Sequence, residues 1–399
     1  MATSSLDLIA SPLFIDAAWK DLLGRSRPKS RNTVGVDGIC INDFLRDPKP
    51  RLRSIARELR AGNYAFSPLR PHLVLKPNGK DRLICVPTVN DRVVQRAILN
   101  FLNIKYGTWL ANPISYGFVK GRNVEEAAKR ACTLREKQGW AFKTDISAFF
   151  DRVDRHQLRQ RIAKHIRHRS LHKILMAISA CEIEAPSGTS KKRIAKLGIQ
   201  KGLGVRQGMP LSPFFANLFL APFDMAIQKA GLNAVRYADD LIFFADSHGK
   251  CVDIEKFCKT TLGRMNLHIP DLQDNSKTII AAPNETTEFL GLGLTKVGHK
   301  YELVLLPKQR DAIRSDLLQL GSIPDLLSRK IQLADLGRAI DSRVAGYLHA
   351  YECCSNHSEL ENDLDNIRQK ILQRIYGPDG LSINTSALSK EKRTFLGLT

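Results

Sequence analysis

The chain has 399 residues, 43% of them apolar, and a formal net charge of +21. That length predicts a large core divided into two or three subdomains. No apolar run reaches the roughly 18–20 residues of a membrane span, and Met1 to Lys20 lacks the pattern of a secretory signal, so the expected location is cytoplasmic.

In chain order, Leu52 to Leu59 has helical spacing and ends at the turn Ala61-Gly62-Asn63. Leu69 to Pro87 reads as two short strands around Pro77-Asn78-Gly79-Lys80, an Asn-Gly hairpin signal. Thr88 to Tyr106 reads as a helix, and Asn123 as the cap of another running through Leu134. Ala141 to Ile146 is an apolar strand that delivers Asp145 at its end, followed by a turn at Phe149-Phe150-Asp151. Val153 to Ala180 is predicted to be largely helical and Glu182 to Lys201 a polar hairpin or loop. Pro213 to Ala230 reads as a helix, with proline near its start as helices tolerate. Next comes the run Ala234 to Ala245, two β-prone segments around Asp239-Asp240, then a helix from about Val252 to Met265. Strands are expected at Lys277–Ala282, Glu288–Leu294 and Tyr301–Leu305, and helices from Pro307 to about Tyr376. The order implies an α+β body over residues 1–306 and a helical appendage over 307–399.

The charge is uneven. Between Arg152 and Arg206 stand 14 Lys/Arg against Asp154, Glu182 and Glu184, about +11 by direct count. Such a surplus converts into affinity for a polyanion through counterion release, and nucleic acid is favoured over a membrane because no amphipathic aromatic anchor accompanies it. The eight cysteines lack any C-x-x-C pair, which argues against zinc sites and disulfide frameworks.

Two adjacent acids inside an apolar hairpin are costly unless cations neutralise them; a plain solvated Asp-Asp turn is the bland alternative. Asp145 at a strand end and Asp239-Asp240 at a hairpin tip can together serve two Mg²⁺ about 4 Å apart. Magnesium suits an all-oxygen set shared with phosphates, with manganese the alternative. A nuclease uses the same metals, so the acids alone do not name the reaction. Gly202 to Pro213 places small residues and Gln207 just before a helix, where backbone approaches a flat ligand closely. Lys76 to Arg82 supplies cations suited to a triphosphate, or forms a plain exposed basic hairpin.

These segments resemble the reverse transcriptases, in the bacterial group of intron-encoded, retron and defence-associated enzymes. The likeness covers about residues 30 to 350 and runs through Gly35-Val36-Asp37-Gly38, Lys76-Pro77-Asn78-Gly79-Lys80 and Pro87 to Gln95. It continues through Ser115 to Arg122, Asp145 to Asp151, Gln207-Gly208, Tyr237-Ala238-Asp239-Asp240 and Phe289-Leu290-Gly291-Leu292. The resemblance implies a right-hand polymerase with fingers and palm, an antiparallel sheet with helices, followed by a helical thumb. It implies catalytic acids at Asp145, Asp239 and Asp240, with the Ile146 carbonyl helping to hold metal. Lys76, Arg82 and Gln207 would meet the incoming nucleotide, and Phe150, at the steric-gate position, would favour dNTPs. Lys277 resembles the lysine that protonates leaving pyrophosphate, or is a surface lysine. Arg206 and Phe289-Leu290-Gly291 would contact primer and template. The expected partners are therefore an RNA template, the DNA product and dNTPs, with no membrane.

The Pro87-to-Gln95 run looks most like intron-encoded enzymes. About 90 residues follow Leu306, room for a thumb but not for a His/Asn nuclease domain, and Gly346 to Tyr351 fits a thumb helix. The retron signature Val-Thr-Gly is replaced by Val304-Leu305-Leu306-Pro307. The expectation is a stand-alone enzyme that copies an associated non-coding RNA, in antiphage defence. An intron maturase and a template-independent or protein-primed nucleotidyltransferase remain as alternatives.

Overall fold

The computed structural model describes residues 4–76, 79–185, 188–273, 276–378, 380–382, 387–390 and 392. In chain order these form α1 (Ser5–Ile9), α2 (Pro12–Arg25), α3 (Ile41–Arg46), α4 (Pro48–Arg60), β1 (Arg70–Leu75), β2 (Asp81–Val86), α5 (Val89–Leu110), α6 (Val124–Lys137) and β3 (Trp140–Asp145). There follow α7 (Phe149–Arg152), α8 (Arg155–His165), α9 (His172–Ser179), α10 (Gly188–Ala195), α11 (Ser212–Lys229), β4 (Asn233–Tyr237), β5 (Asp240–Ala245) and α12 (His248–Gly263). The last elements are β6 (Ile279–Ala281), β7 (Thr287–Phe289), β8 (Leu292–Val297), β9 (Lys300–Val304), α13 (Pro307–Leu318), α14 (Ile323–Ser328), α15 (Leu336–Ala350) and α16 (His357–Tyr376). Among the described residues no helix is long and apolar enough to cross a membrane.

The chain divides into two compact units, Met1–Val124 with Phe142–Ile280, and Glu125–Ala141 with Ala281–Thr399. In the first unit β1 and β2 form a two-stranded antiparallel ribbon from Arg70↔Val86 to Leu75↔Asp81. Pro77 and Asn78, where an Asn-Gly turn is expected, lie outside the described residues. Thr88 caps α5 rather than joining it, its hydroxyl accepting from the Asp91 N–H at 3.1 Å. The central sheet has the order β4-β5-β3-β6. α11 is buried along most of its length, with Phe215, Phe219 and Phe223 fully enclosed.

The second unit holds the sheet β7-β8-β9 and α13, α15 and α16. Arg135 of α6 is fully buried and donates to the carbonyls of Gly139, Ala282, Glu285 and Leu294 at 2.7–3.2 Å. Its guanidinium also lies 4.6 Å from the Tyr301 ring centroid. Asn356 brackets Leu305, accepting from its N–H at 2.9 Å and donating to its carbonyl at 3.1 Å.

Two expectations are corrected. Glu288–Leu294 is not one strand: Phe289 pairs with Leu292 across a two-residue turn, with Leu290 and Gly291 at φ 54° and 80°. Positive φ at both central residues marks a type I′ turn, and a leucine hides that signal in the sequence. The expected loop at Glu182–Lys201 contains α10, whose described residues bury Ile194, so its polar composition reads as loop.

Candidate active site

Tyr237 pairs directly with Asp240, leaving Ala238-Asp239 as the two-residue turn, with Ala238 at φ 56°. The Ile146 N–H donates to the Asp239 carbonyl at 3.0 Å, stitching the hairpin tip to the end of β3 directly after Asp145. Gly117 packs against the same turn. A Cβ there would meet the Ala238 backbone nitrogen well inside contact distance and the Tyr237 carbonyl carbon at 2.9 Å.

Beneath the hairpin lies Arg236, 0% exposed and absent from the sequence-derived site. It grips Asp224 of α11 through Nε at 2.6 Å and Nη2 at 2.5 Å. Nη1 donates to Asn217 Oδ1 at 3.2 Å and to the Ala238 carbonyl at 3.1 Å, and Nη2 to Ser115 Oγ at 2.8 Å. Asn217 in turn donates to the Gly117 carbonyl at 2.9 Å. One buried guanidinium thus ties α11, the Ser115–Gly117 segment and the Ala238-Asp239 turn together, with all of its N–H donors used. The available signal was a lone charge in a buried strand pattern, which demands a partner.

The three acids converge electrostatically. Burial raises Asp240 to about 6, and the charges of Asp239 and Asp145 add to it. Burial also pushes Asp239 up, with Asp145 reinforcing the shift and Lys277 and Arg82 opposing it. Lys277 Nζ is ion-paired with Asp145 Oδ2. Burial alone would lower this lysine, but the Asp145 bond and the charges of Asp240 and Asp239 carry it up overall. Lys277 reaches Asp145 because β6 lies beside β3 and buried Thr278 shares a hydrogen bond with Thr144 at 2.6 Å.

Asp145 Oδ1 is buried without a hydrogen-bond partner, an unmet acceptor that suits a cation. Among the described residues no three His, Cys, Asp or Glu side chains form a group that could hold a metal ion.

Two further segments singled out from the sequence pair with each other. The N–H groups of Gly204 and Val205 donate to the carbonyls of Val153 and Phe150, both at 2.8 Å. Gly204 has φ 79°, and a Cβ there would meet the Phe150 and Asp151 carbonyl oxygens at 2.7 Å, so only glycine allows this approach. Phe150 is buried and meets Phe118 edge-to-face at 6.3 Å. Phe118 is 48% exposed and holds φ 61°, a conformation rare for a bulky residue.

The Cys85 N–H donates to the Gln207 carbonyl at 2.7 Å, and Arg82 Nε to Gln207 Oε1 at 2.8 Å. Asp151, not singled out from the sequence as a site residue, joins this group. Burial raises its carboxyl while Arg206, Lys76 and Arg82 pull it back.

Arg206 departs from expectation. It is 2% exposed, and its Nη2 donates to Glu182 Oε2 and the Gln200 carbonyl, both at 2.7 Å. Glu182 also receives Arg155 at 2.7 Å and the Gly202 N–H at 2.8 Å. The Arg206 side chain therefore shapes the Gly-rich loop instead of facing primer and template. Phe289, Leu290 and Gly291 belong to the second unit, Phe289 fully buried and the other two forming the turn.

Asp145 at the end of β3 and Asp239-Asp240 at the β4–β5 turn, coupled electrostatically within an α+β fold, have the make-up of a phosphoryl-transfer site. Residues 74–294, more than half of the chain, match the model of the family "Reverse transcriptase (RNA-dependent DNA polymerase)". The chain belongs to that family, and it is an RNA-directed DNA polymerase of the right-hand α+β class. It is 26% identical over 340 residues to Protein YkfC of Escherichia coli, covering 74% of this chain and 84% of that one. It is 27% identical over 176 residues to an uncharacterized 91 kDa protein in the cob intron of Schizosaccharomyces pombe, covering 44% of this chain but 20% of that protein. A partial Cas6-RT-Cas1–Cas2 complex has a chain of similar structure, with TM-score 0.40, 23% identity, and coverage of 66% of this chain and 42% of that one.

Proposed function

We propose that the enzyme extends a primer along an RNA template by in-line attack of the 3′-OH on the α-phosphorus of a dNTP. The carrying observation is the electrostatic coupling of Asp239 and Asp240 to Asp145, whose own Oδ1 is buried without a hydrogen-bond partner. Two Mg²⁺, or Mn²⁺ in their place, would be held by Asp145, Asp239, Asp240 and the Ile146 carbonyl. When bound they supply charge stabilisation for the attacking and leaving oxygens. Lys76 and Arg82 receive the triphosphate, Gln207 lies beside the nucleotide, and Phe150 crowds a ribose 2′-OH. Lys277, released from Asp145, donates a proton to the leaving pyrophosphate, and Phe289-Leu290-Gly291 supports the primer end. Positioning and electrostatics do most of the work in such a transfer.

Asp145→Asn and Asp239→Ala are expected to abolish primer extension while retaining RNA affinity. Extension at a rate comparable to wild type in either variant overturns the site assignment. A parallel comparison of dNTPs with rNTPs, with and without template, separates RNA-directed DNA synthesis from template-independent or protein-primed transfer.

For the template we propose an associated structured non-coding RNA, copied in the cytoplasm in defence against phage. The names of two relatives, one in a cob intron and one an intron 2 protein of COX1/OXI3, favour intron RNA as the second reading. Sequencing the RNA that copurifies with the protein decides between them: a defined small RNA supports the first, an intron the second. Phage plating with wild type and Asp239→Ala tests the defence role, which fails if the two protect equally.

A further inference from the structure

From Arg155 to Cys181 the chain carries seven Lys/Arg and four His and no acid. Two of the arginines face inward. Arg155 is held by Glu182 and by the Gly204 carbonyl, and Arg161 lies 4.1 Å from the Phe219 ring centroid of α11. The other five, Arg159, Lys164, Arg167, Arg169 and Lys173, are exposed. None of them forms an ion pair among the described residues.

The end of α5 joins this face. Trp109, 41% exposed, stacks on His165 of α8 at 5.1 Å and 23°. One turn earlier the Tyr106 hydroxyl meets His168 Nδ1 at 2.7 Å and accepts the Arg167 N–H at 2.8 Å, while Lys105 is exposed. Burial and then Lys164 and Arg161 hold His165 below its ordinary value, and burial and then Lys105 do the same to His168. These cations therefore crowd one surface around a flat, half-open indole.

That surface is separated from the acids by a helix. α11 meets Arg161 through Phe219, while its Asn217 and Asp224 meet Arg236 beneath the catalytic turn. The cation count and the stacked ring pair therefore serve no step of the reaction described above.

We propose that the α5–α8–α9 face is a second nucleic-acid site, which holds the phosphates of a structured RNA with an unpaired base stacked on Trp109. Unpaired cations flanking an exposed aromatic plane match single-stranded nucleic acid, where phosphates release counterions and bases stack. An acidic protein would use the charges and leave the ring plane unexplained. The proposal rests on the RNA-templated reading for the choice of RNA as the polyanion.

The test uses the full chain, a hairpin RNA with a single-stranded loop, and a short oligo(rA)·oligo(dT) duplex that fills only the polymerase cleft. The triple variant Arg167→Glu/Arg169→Glu/Lys173→Glu should bind the hairpin at least ten-fold more weakly, with the salt slope reduced by about 2–3. Trp109→Ala should weaken binding roughly 5- to 100-fold with the slope unchanged. Both should melt like wild type and extend the short duplex within two-fold of its rate. Unchanged hairpin affinity in both variants overturns the proposal. So does an equal loss of extension on the short duplex, which would place these residues in the cleft. Loss of binding to anionic vesicles or to an acidic protein, with RNA affinity intact, also overturns it. A wild-type enzyme that binds the hairpin through this face yet extends no primer would sink the proposed function and leave the second site standing.

Discussion

Asp240 has an ordinary carboxyl value of 3.8 and is raised to about 6 by burial and by Asp239 and Asp145. A raised acid binds its proton more tightly folded than unfolded, so its contribution to stability is full below about pH 4 and is lost as pH rises through 6. In chelator, the melting temperature of wild type should fall across this window, and Asp240→Asn should flatten the fall. Magnesium added at pH 7.5 should raise the melting temperature of wild type and leave Asp145→Asn/Asp239→Asn unmoved. A slope in Asp240→Asn identical to wild type would show that this carboxyl is not the strained one. At the proposed gate, Phe118 keeps an unfavourable φ of 61° while its ring braces Phe150. Edge-to-face pairs contribute about 0.5–1.5 kcal/mol, so Phe118→Ala should raise relative rNTP incorporation about two- to ten-fold. Phe150→Val should raise it further; misincorporation equal to wild type in both variants removes the gate from this position. The spacing from Asp145 to Phe150 was legible in the sequence, but the Phe118 brace was not, because nothing in a lone Phe announces a left-handed backbone.

At the level of elements, the Ala238-Asp239 turn depends on groups far from it in sequence. Removing one partner of a buried ion pair leaves an uncompensated charge and costs about 3–5 kcal/mol. Arg236→Met should lower unfolding free energy by that amount in a denaturant titration, and Arg236→Met/Asp224→Leu should recover part of it. Full additivity of the two single changes would show that the pair is not coupled. Gly117→Ala sets a Cβ against the Ala238 and Tyr237 backbone, so primer extension should drop steeply while the helical circular dichroism stays near wild type. The strand Ala234–Tyr237 was readable from its β-prone residues, and its buried arginine signalled that some acid must meet it. That the acid is Asp224 on α11 could not be read, since the partner is chosen by helix packing rather than by spacing.

On the scale of the molecule, the helical C-terminal region does not detach at residue 306. Residues 125–141 and 281–399 form one compact unit, with Arg135 gripping four carbonyls and Asn356 and Ser355 pairing with Leu305 and Leu303. A fragment ending at Leu306 should therefore expose the β7–β9 sheet and aggregate, whereas the full chain stays monodisperse by light scattering. A soluble, cooperatively melting 1–306 fragment would argue for the boundary expected from composition. Chemistry class, strand-borne acids and most helix positions were already set by the linear order of residues, because hydrophobic period, caps and motif spacing act over a few residues. Long-range packing settled the remainder. It put Arg206 on Glu182 rather than on a primer, seated Arg236 under the acids, split the Phe289–Leu292 segment into a hairpin, and turned the surplus charge of α8 and α9 outward beside Trp109. Each of these depends on which groups lose water together, and the choice of partner is a property of the folded chain that local spacing does not fix.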